Sequence, residues 1–240
     1  MKIIDKIKNK ALDIYAEKPV TIAFLGDSVT QGCFECYFDE KGIQTVFDAK
    51  SSYSSRVKEL LNLLYPSAQI NIINSGISGD NAPNGNKRFE RDIAPYHPDL
   101  VVVSFGLNDA CSGRENVARY TEALKSIFEK VKALNAECIF IFQNTMNTKV
   151  SCHLKDEREK ELARSFAEIQ NRGDLKYYCE QAKITAKECG VEFCDLYSVW
   201  ENMIEGGVDT TELLSNKYNH PVREFHYYIA IKIIEKMFGI

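Results

Sequence analysis

Five short apolar segments constrain the fold of this chain most, because each has the composition of a strand buried on both faces of a sheet. Glycine or polar residues follow most of them, and stretches with a helical spacing of apolar residues separate them. The five segments are residues 20–25, 69–74, 99–105, 138–142 and 191–196. Strands that alternate with helices along the whole chain predict an α/β fold built on a doubly wound, five-stranded parallel sheet.

The segments between the strands predict helices and a few irregular regions. Helices are expected in a leading segment within 1–18 and then at 53–64, 86–94, 115–134, 155–169, 174–189 and 223–238. Residues 31–51 are rich in Phe, Tyr and acidic residues without a long period, and we expect a surface excursion beside the end of the first strand. Residues 198–219 are expected to be irregular. No repeat or linker is visible, so residues 1–240 are interpreted as one domain.

Composition argues against several classes of partner. The net charge is −4, from 30 basic and 34 acidic residues, and no basic block indicates binding to nucleic acid or to a membrane surface. The N-terminus lacks the apolar core of a secretory signal, and the eight cysteines are scattered, which favours a reduced, cytoplasmic protein. Cys33 and Cys36 form a single C-x-x-C motif, and no second pair of cysteines follows at zinc-finger spacing, so no metal is expected. The oligomeric state is not predicted.

Reactive or small residues follow four of the predicted strands, at Ser28, Gly79, Asn108 and Asn144. Because α/β sheets bind ligands at the carboxyl ends of their parallel strands, we expect these residues along one edge. Ser28 is either a nucleophile at that edge or the cap of the following helix. The amide N–H groups of Ser28 and Gly79, with the side-chain amide of Asn108, could act as donors to an oxyanion.

A serine nucleophile needs a base, and the chain has only four histidines. His97 begins the third strand, at the opposite edge, and His226 lies within the last predicted helix. His220 precedes Pro221, which restricts the backbone of the loop before that helix. We therefore favour His220 as the base, with His153, in a loop beyond the fourth strand, as the alternative.

Four blocks of the sequence resemble the SGNH (GDSL-like) hydrolase family. They are Gly26-Asp27-Ser28-Val29, Gly79 within Ile77–Asp80, Asn108 within Gly106–Asp109, and His220-Pro221. The resemblance spans about residues 20–235 and implies a flavodoxin-like, three-layer α/β/α sandwich that hydrolyses esters or thioesters. No cofactor is expected, because a serine and a histidine suffice for this reaction. It also implies that Ser28 is the nucleophile, that Ser28, Gly79 and Asn108 form the oxyanion hole, and that His220 is the base.

One position departs from the family's pattern. The family usually has an aspartate three residues before its catalytic histidine, where this chain has Lys217. Such a carboxylate holds the tautomer of the imidazole and stabilises the imidazolium. Three alternatives are open: Asp209 or Glu212 reaches the ring; Asn216, Asn219 or a backbone carbonyl orients it; or the site is weakened. We favour an active enzyme without the usual aspartate.

The leading functional hypothesis is deacetylation of an O-acetylated sugar or oligosaccharide. It rests on Gly32-Cys33-Phe34-Glu35, which resembles carbohydrate esterases of the family, and on the aromatic residues of the excursion. Those residues, Phe34, Tyr37, Phe38 and Phe47, are either a wall against a sugar ring or core packing beneath the loop. The alternatives are a lysophospholipase or acyl-thioesterase, and a non-enzymatic carbohydrate-binding relic.

Overall fold

The computed structural model describes residues 1–240 and contains one five-stranded sheet. Its strands are β1 (Val20–Gly26), β4 (Ile70–Gly76), β5 (Leu100–Ser104), β6 (Glu137–Phe142) and β7 (Glu192–Asp195). All neighbours pair in parallel, in the order β4-β1-β5-β6-β7. Counted along the chain this is the order 2-1-3-4-5 of a flavodoxin-like sheet, and the predicted α/β fold is confirmed.

The helices also follow the predicted alternation. They are α1 (Lys2–Leu12), α2 (Ser28–Gln31), α3 (Tyr53–Leu64), α4 (Ala82–Asp92), α5 (Leu107–Ala110), α6 (Val117–Ala133), α7 (Glu157–Asn171), α8 (Asp174–Cys189), α9 (Leu196–Glu205) and α10 (Arg223–Phe238). Helices α1, α3 and α10 pack together on one face of the sheet, and α4, α6 and α8 pack together on the other. Right-handed crossovers produce this distribution, because the chain reverses direction across the sheet after β4.

The sheet is the centre of the hydrophobic core. Every residue of β5 is buried, and β1 is buried except at Thr21, as expected for strands covered by helices on both faces. A single cluster of 46 buried residues joins the strands to both helical layers. The polar carboxyl ends of β1, β4 and β5 therefore lie on a rigid base.

Two regions differ from the sequence-based expectations. The excursion at 31–51 contains an antiparallel hairpin, β2 (Cys33–Asp39) and β3 (Gly42–Phe47), which forms a second, two-stranded sheet. The register shifts between Cys33 and Cys36, so Phe34 and Glu35 oppose a single residue, Val46, in a β-bulge that hides the alternation of a strand. The first half of the region expected to be irregular is helix α9, which begins directly after β7 and is capped by the Asp195 carboxylate.

None of the helices combines the length and the apolar character needed to cross a membrane.

Candidate active site

Ser28 lies at the carboxyl end of β1, on the first turn of the short helix α2. Asp27, not Ser28, caps that helix: its carboxylate accepts a hydrogen bond from the Val29 amide at 3.0 Å. The Ser28 side chain is only 4% exposed and its hydroxyl is engaged elsewhere. The interpretation of Ser28 as a helix cap is therefore wrong.

The hydroxyl of Ser28 and the ring of His220 form a hydrogen bond. Ser28 Oγ lies 2.9 Å from His220 Nε2, and His220 Nδ1 lies 2.9 Å from the carbonyl oxygen of Phe34. A carbonyl can only accept, so Nδ1 carries the ring proton and Nε2 has a free lone pair in the neutral imidazole. Ser28 therefore donates its proton toward Nε2, the geometry needed for a serine activated by a general base.

The loop before α10 holds His220 in place through the side chain of Asn216. Asn216 Oδ1 accepts hydrogen bonds from the backbone amides of Tyr218, Asn219 and His220, each at 3.0 Å. Asn144, at the end of β6, donates from Nδ2 to the carbonyl of Asn219 at 2.8 Å. The loop is thus tied to itself and to the sheet, which restricts the position of the ring.

The residues considered as orienting groups do not contact the His220 ring. Asp209 pairs with Lys149 at 2.6 Å on the surface, and Glu212 binds Ser151 and Lys217. The side chain of Asn219 accepts from Asn216 instead. Assigning ring orientation to Asp209 or Asn219 is therefore wrong, because a backbone carbonyl already occupies Nδ1.

The other candidate base lies on the surface. The side chain of His153 is 68% exposed and faces Glu212 at 3.5 Å. It makes no contact with Ser28, whose hydroxyl is bonded to His220. The structure therefore does not support the His153 alternative.

Burial keeps the His220 imidazole neutral. Desolvation lowers its pKa from 6.5 to about 4, although the hydrogen bond to Phe34 and the charge of Glu35 act in the opposite direction. A base with this pKa is deprotonated throughout the neutral range and can accept the Ser28 proton there.

Gly79 and Asn108 lie next to Ser28 in the same cavity. Gly79 has φ +78, a left-handed conformation that glycine adopts without strain, and a Cβ added to it would meet no atom within 4 Å. Its amide has no hydrogen-bond partner in the protein. Asn108 Nδ2 donates to the carbonyl of Asp80 at 2.8 Å, which sets the direction of its amide group.

Arg88, on α4, braces the loop that carries Gly79. Its guanidinium is nearly buried and binds the Asp80 carboxylate through Nε at 2.6 Å. It also donates to the carbonyls of Gly26, in β1, and Ser75, in β4, at 2.9 and 2.7 Å. One side chain therefore joins two strand ends to Asp80, which follows Gly79 and whose carbonyl accepts the hydrogen bond from Asn108, an arrangement suited to the planar fork of arginine.

Two carboxyl groups beneath the site have raised pKa values. Burial raises the pKa of Asp27 to about 6 and that of Asp109 to about 7, despite hydrogen bonds from Gln143 to Asp27 and from the Ala82 amide to Asp109. One oxygen of each carboxyl has no partner. Both groups face inward, and neither contacts the ring of His220.

The cavity above Ser28 has a volume of about 330 Å³. Ser28, Ser78, Gly79, Asn108 and His220 form its floor, and apolar residues of the hairpin, of α7 and of the loop before α10 form its walls. The apolar and aromatic wall residues are Cys36, Phe38, Ile43, Leu162, Phe166 and Tyr218.

Of the four aromatic residues expected in the excursion, only Phe38 lines the cavity. Phe34 is fully buried, and Tyr37 and Phe47 are exposed away from it. Phe166 and Tyr218, whose stacked rings lie 6.2 Å apart, were missed as wall residues. Tyr218 could have been predicted as a cavity residue, because it lies two residues before His220 in the sequence. Nothing in the sequence distinguishes Phe166 from the other apolar residues of its helix.

Known proteins share parts of this sequence. An acetylxylan esterase from Geobacillus stearothermophilus is 34% identical over 89 residues, which are 37% of this chain and 39% of that protein. The aligned part thus spans well under half of that relative's length.

Solved structures share the fold over nearly the whole chain. A catalytic mutant of an acetylxylan esterase from Geobacillus stearothermophilus matches with a TM-score of 0.65 at 20% identity, covering 90% of this chain and 93% of that one. A two-domain esterase active on acetylated mannans matches with a TM-score of 0.67 at 19% identity, covering 97% of this chain and 51% of that one. This chain therefore spans about half the length of the two-domain esterase, and at these identities the similarity establishes a common fold.

Membership of a family rests on a separate comparison. The model of the GDSL-like Lipase/Acylhydrolase family matches residues 24–226, a region that contains Ser28, Gly79, Asn108 and His220. Because this match covers most of the sequence, the chain belongs to the GDSL-like lipase/acylhydrolase family.

Proposed function

We propose that this protein is a serine esterase that removes O-acetyl groups from a carbohydrate. The hydrogen bond of 2.9 Å between Ser28 Oγ and the lone pair of His220 Nε2 carries the proposal. It places a hydroxyl and a neutral base in contact at the floor of an open cavity. No metal or organic cofactor is needed for this chemistry.

The proposed reaction has two halves. Ser28 Oγ attacks the ester carbonyl carbon while His220 Nε2 accepts the hydroxyl proton, and the amides of Ser28 and Gly79 with Asn108 Nδ2 donate to the oxyanion. The tetrahedral intermediate then expels the sugar oxygen, which takes the proton from Nε2. Water attacks the acetyl-enzyme with His220 again as base, and acetate leaves as Ser28 regains its proton.

The shape of the cavity favours a small acyl group and a ring-shaped alcohol. Its volume of about 330 Å³ lies at the lower end of the usual range for small-molecule sites. The half-buried rings of Phe38 and Phe166 offer apolar surface for a sugar ring, with the buried Tyr218 stacked behind Phe166, while the floor offers polar groups. Relatives described as esterases of acetylated xylan and mannan support the same class of substrate.

We expect hydrolysis of 4-nitrophenyl esters to decline steeply with acyl length. The value of kcat/KM should be at least about 100-fold lower for the octanoate than for the acetate, since each poorly accommodated methylene changes binding by about 1–3 kcal/mol. Initial rates over the acetate, butyrate and octanoate series measure this. A preference for octanoate would support the lysophospholipase or thioesterase alternative instead.

The sugar is identified by measuring acetate release from acetylated xylo- and manno-oligosaccharides, with glycerol triacetate as a non-carbohydrate control. The proposal requires a higher kcat/KM for at least one acetylated oligosaccharide than for the triacetate. Binding of the oligosaccharides without any release of acetate would favour the carbohydrate-binding relic.

The pH dependence should reflect the buried histidine. Because the pKa of His220 is lowered to about 4, the acid limb of kcat/KM should fall near pH 4, below the usual pKa of histidine. The unfolded chain binds this proton at about pH 6.5, so the contribution of His220 to folding stability is lost as the pH falls from 6.5 toward 4, while Asp27 and Asp109, whose pKa values are raised, contribute in the opposite direction. Circular dichroism at each pH separates unfolding from titration, and an acid limb near pH 6.5 in folded protein would contradict the expectation.

A further inference from the structure

The orientation of the His220 ring depends on the Phe34 carbonyl, whose direction is not fixed by a regular strand. In SGNH sequences an aspartate usually precedes the histidine, but here Nδ1 donates to the carbonyl of Phe34. Phe34 and Glu35 lie in the bulge of β2, where two residues oppose Val46. A bulge leaves the ladder of backbone hydrogen bonds locally interrupted, so the direction of this carbonyl must come from other contacts.

Arg223 makes those contacts from the first turn of α10, three residues after His220. Its two terminal nitrogens bind both carboxylate oxygens of Glu35, Nη1 at 2.5 Å and Nη2 at 3.0 Å. Its Nε donates at 3.0 Å to Asp48, just beyond the end of β3. One guanidinium thus joins β2, through a bidentate pair with Glu35, and the residue after β3 to the helix that follows the histidine loop.

The same guanidinium also fixes the ring of Phe34. Its central carbon lies 4.2 Å from the centroid of the ring, which is fully buried. The ring of His226 lies 4.7 Å from the same centroid. His226 is itself held, because its Nδ1 accepts a hydrogen bond from the Tyr53 amide at 3.0 Å. Residues 34 and 35 are therefore restrained through both of their side chains.

We infer that Arg223 is a positioning residue: by holding Phe34 and Glu35 in the bulge, it keeps the Phe34 carbonyl on His220 Nδ1, in place of the aspartate missing at Lys217. The inference rests on the proposed function of His220 as the base. It adds Arg223, Glu35 and the bulge to the groups on which that base depends. Arg223 itself is not among the residues that line the cavity, and its side chain hydrogen-bonds to Glu35 and Asp48 instead.

Kinetics of Arg223→Ala and Arg223→Lys test this role. We expect Arg223→Ala to lower kcat on 4-nitrophenyl acetate about 100-fold, as a misplacement of about 1 Å in a catalytic group can do, with KM changed little. Arg223→Lys keeps the positive charge but loses the planar guanidinium that binds both oxygens of Glu35, so its kcat should lie between those of the wild type and Arg223→Ala. Arg56→Ala is the matched control, because Arg56 also pairs with a carboxylate, Glu59, and stacks over a ring, Tyr227, at 4.3 Å.

A spectroscopic measurement follows the ring directly. With ¹⁵N-labelled histidine, the His220 signals, identified by their loss in His220→Ala, should report the Nδ1-protonated tautomer in the wild type. They should report a mixture of tautomers in Arg223→Ala and the wild-type state in Arg56→Ala. If Arg223→Ala does not fold, Arg223→Lys supplies the same comparison.

Two results would overturn the inference: a wild-type kcat in the folded Arg223 variants, or an unchanged tautomer of His220 in them. The two proposals fail differently. If the wild type shows no Ser28-dependent hydrolysis, the proposed function fails, while the tautomer measurement still decides whether Arg223 positions the ring.

Discussion

Replacing Ser28 with alanine is expected to lower kcat for 4-nitrophenyl acetate by about 10⁴-fold or more, since loss of a serine nucleophile removes the covalent route altogether. The oxyanion donors and the cavity remain in this variant, so a small residual rate above that in water is expected. The measurement is a steady-state rate, with labelling of the wild type by a fluorophosphonate probe as a check that the acyl group is carried by Ser28.

The fold of this variant should be intact. The mutation removes one hydroxyl and one hydrogen bond, to His220 Nε2, and such a bond contributes about 1 kcal/mol to the free energy of unfolding. For a chain of this size that corresponds to a fall in Tm of about 2–4 °C. Equal rates in wild type and variant, with no labelling of Ser28, would reject the esterase proposal and leave the binding relic.

The sequence predicted the sheet well because its strands are buried on both faces. The five apolar runs correspond to β1, β4, β5, β6 and β7 with ends shifted by two residues at most, and α3, α8 and α10 have the predicted bounds. Continuous apolar runs and helical periods are local patterns, so they can be read without knowledge of tertiary contacts. The meeting of Ser28, Gly79 and Asn108 at one cavity then follows from parallel pairing.

What was missed depends on groups that leave no local pattern. The sequence allowed a backbone carbonyl as the partner of His220 Nδ1 but could not say which one, because every residue, proline included, offers such a carbonyl, and Phe34 lies 186 residues from His220. The bulge at Phe34 and Glu35 breaks the alternation that would have indicated the hairpin. Helix α9 was missed because Asp195 ends β7 and caps the helix, so no loop separates the two elements.

Replacing His220 with alanine should lower kcat by about 10⁴-fold, because Ser28 then has no base to accept its proton. Lys217→Asp, which restores the residue usual in the family, should change kcat by less than about threefold. The Lys217 side chain is directed to Glu212, where Nζ binds the carbonyl oxygen at 3.1 Å and the carboxylate at 3.0 Å. The backbone there has φ +62, a left-handed conformation that aspartate tolerates better than most residues.

Together, His220→Ala and Lys217→Asp test whether the Phe34 carbonyl orients the His220 ring or whether the ring is poorly oriented because the usual aspartate is missing. Because the Phe34 carbonyl already accepts the hydrogen bond from Nδ1, a new carboxylate at position 217 would find no free N–H donor on the ring. Steady-state rates of both variants, with Lys217→Asn as the uncharged control for loss of the Glu212 pair, measure the difference. A large gain in kcat for Lys217→Asp alone would mean that the wild-type ring is poorly oriented, and that the carbonyl of Phe34 does not replace the missing aspartate.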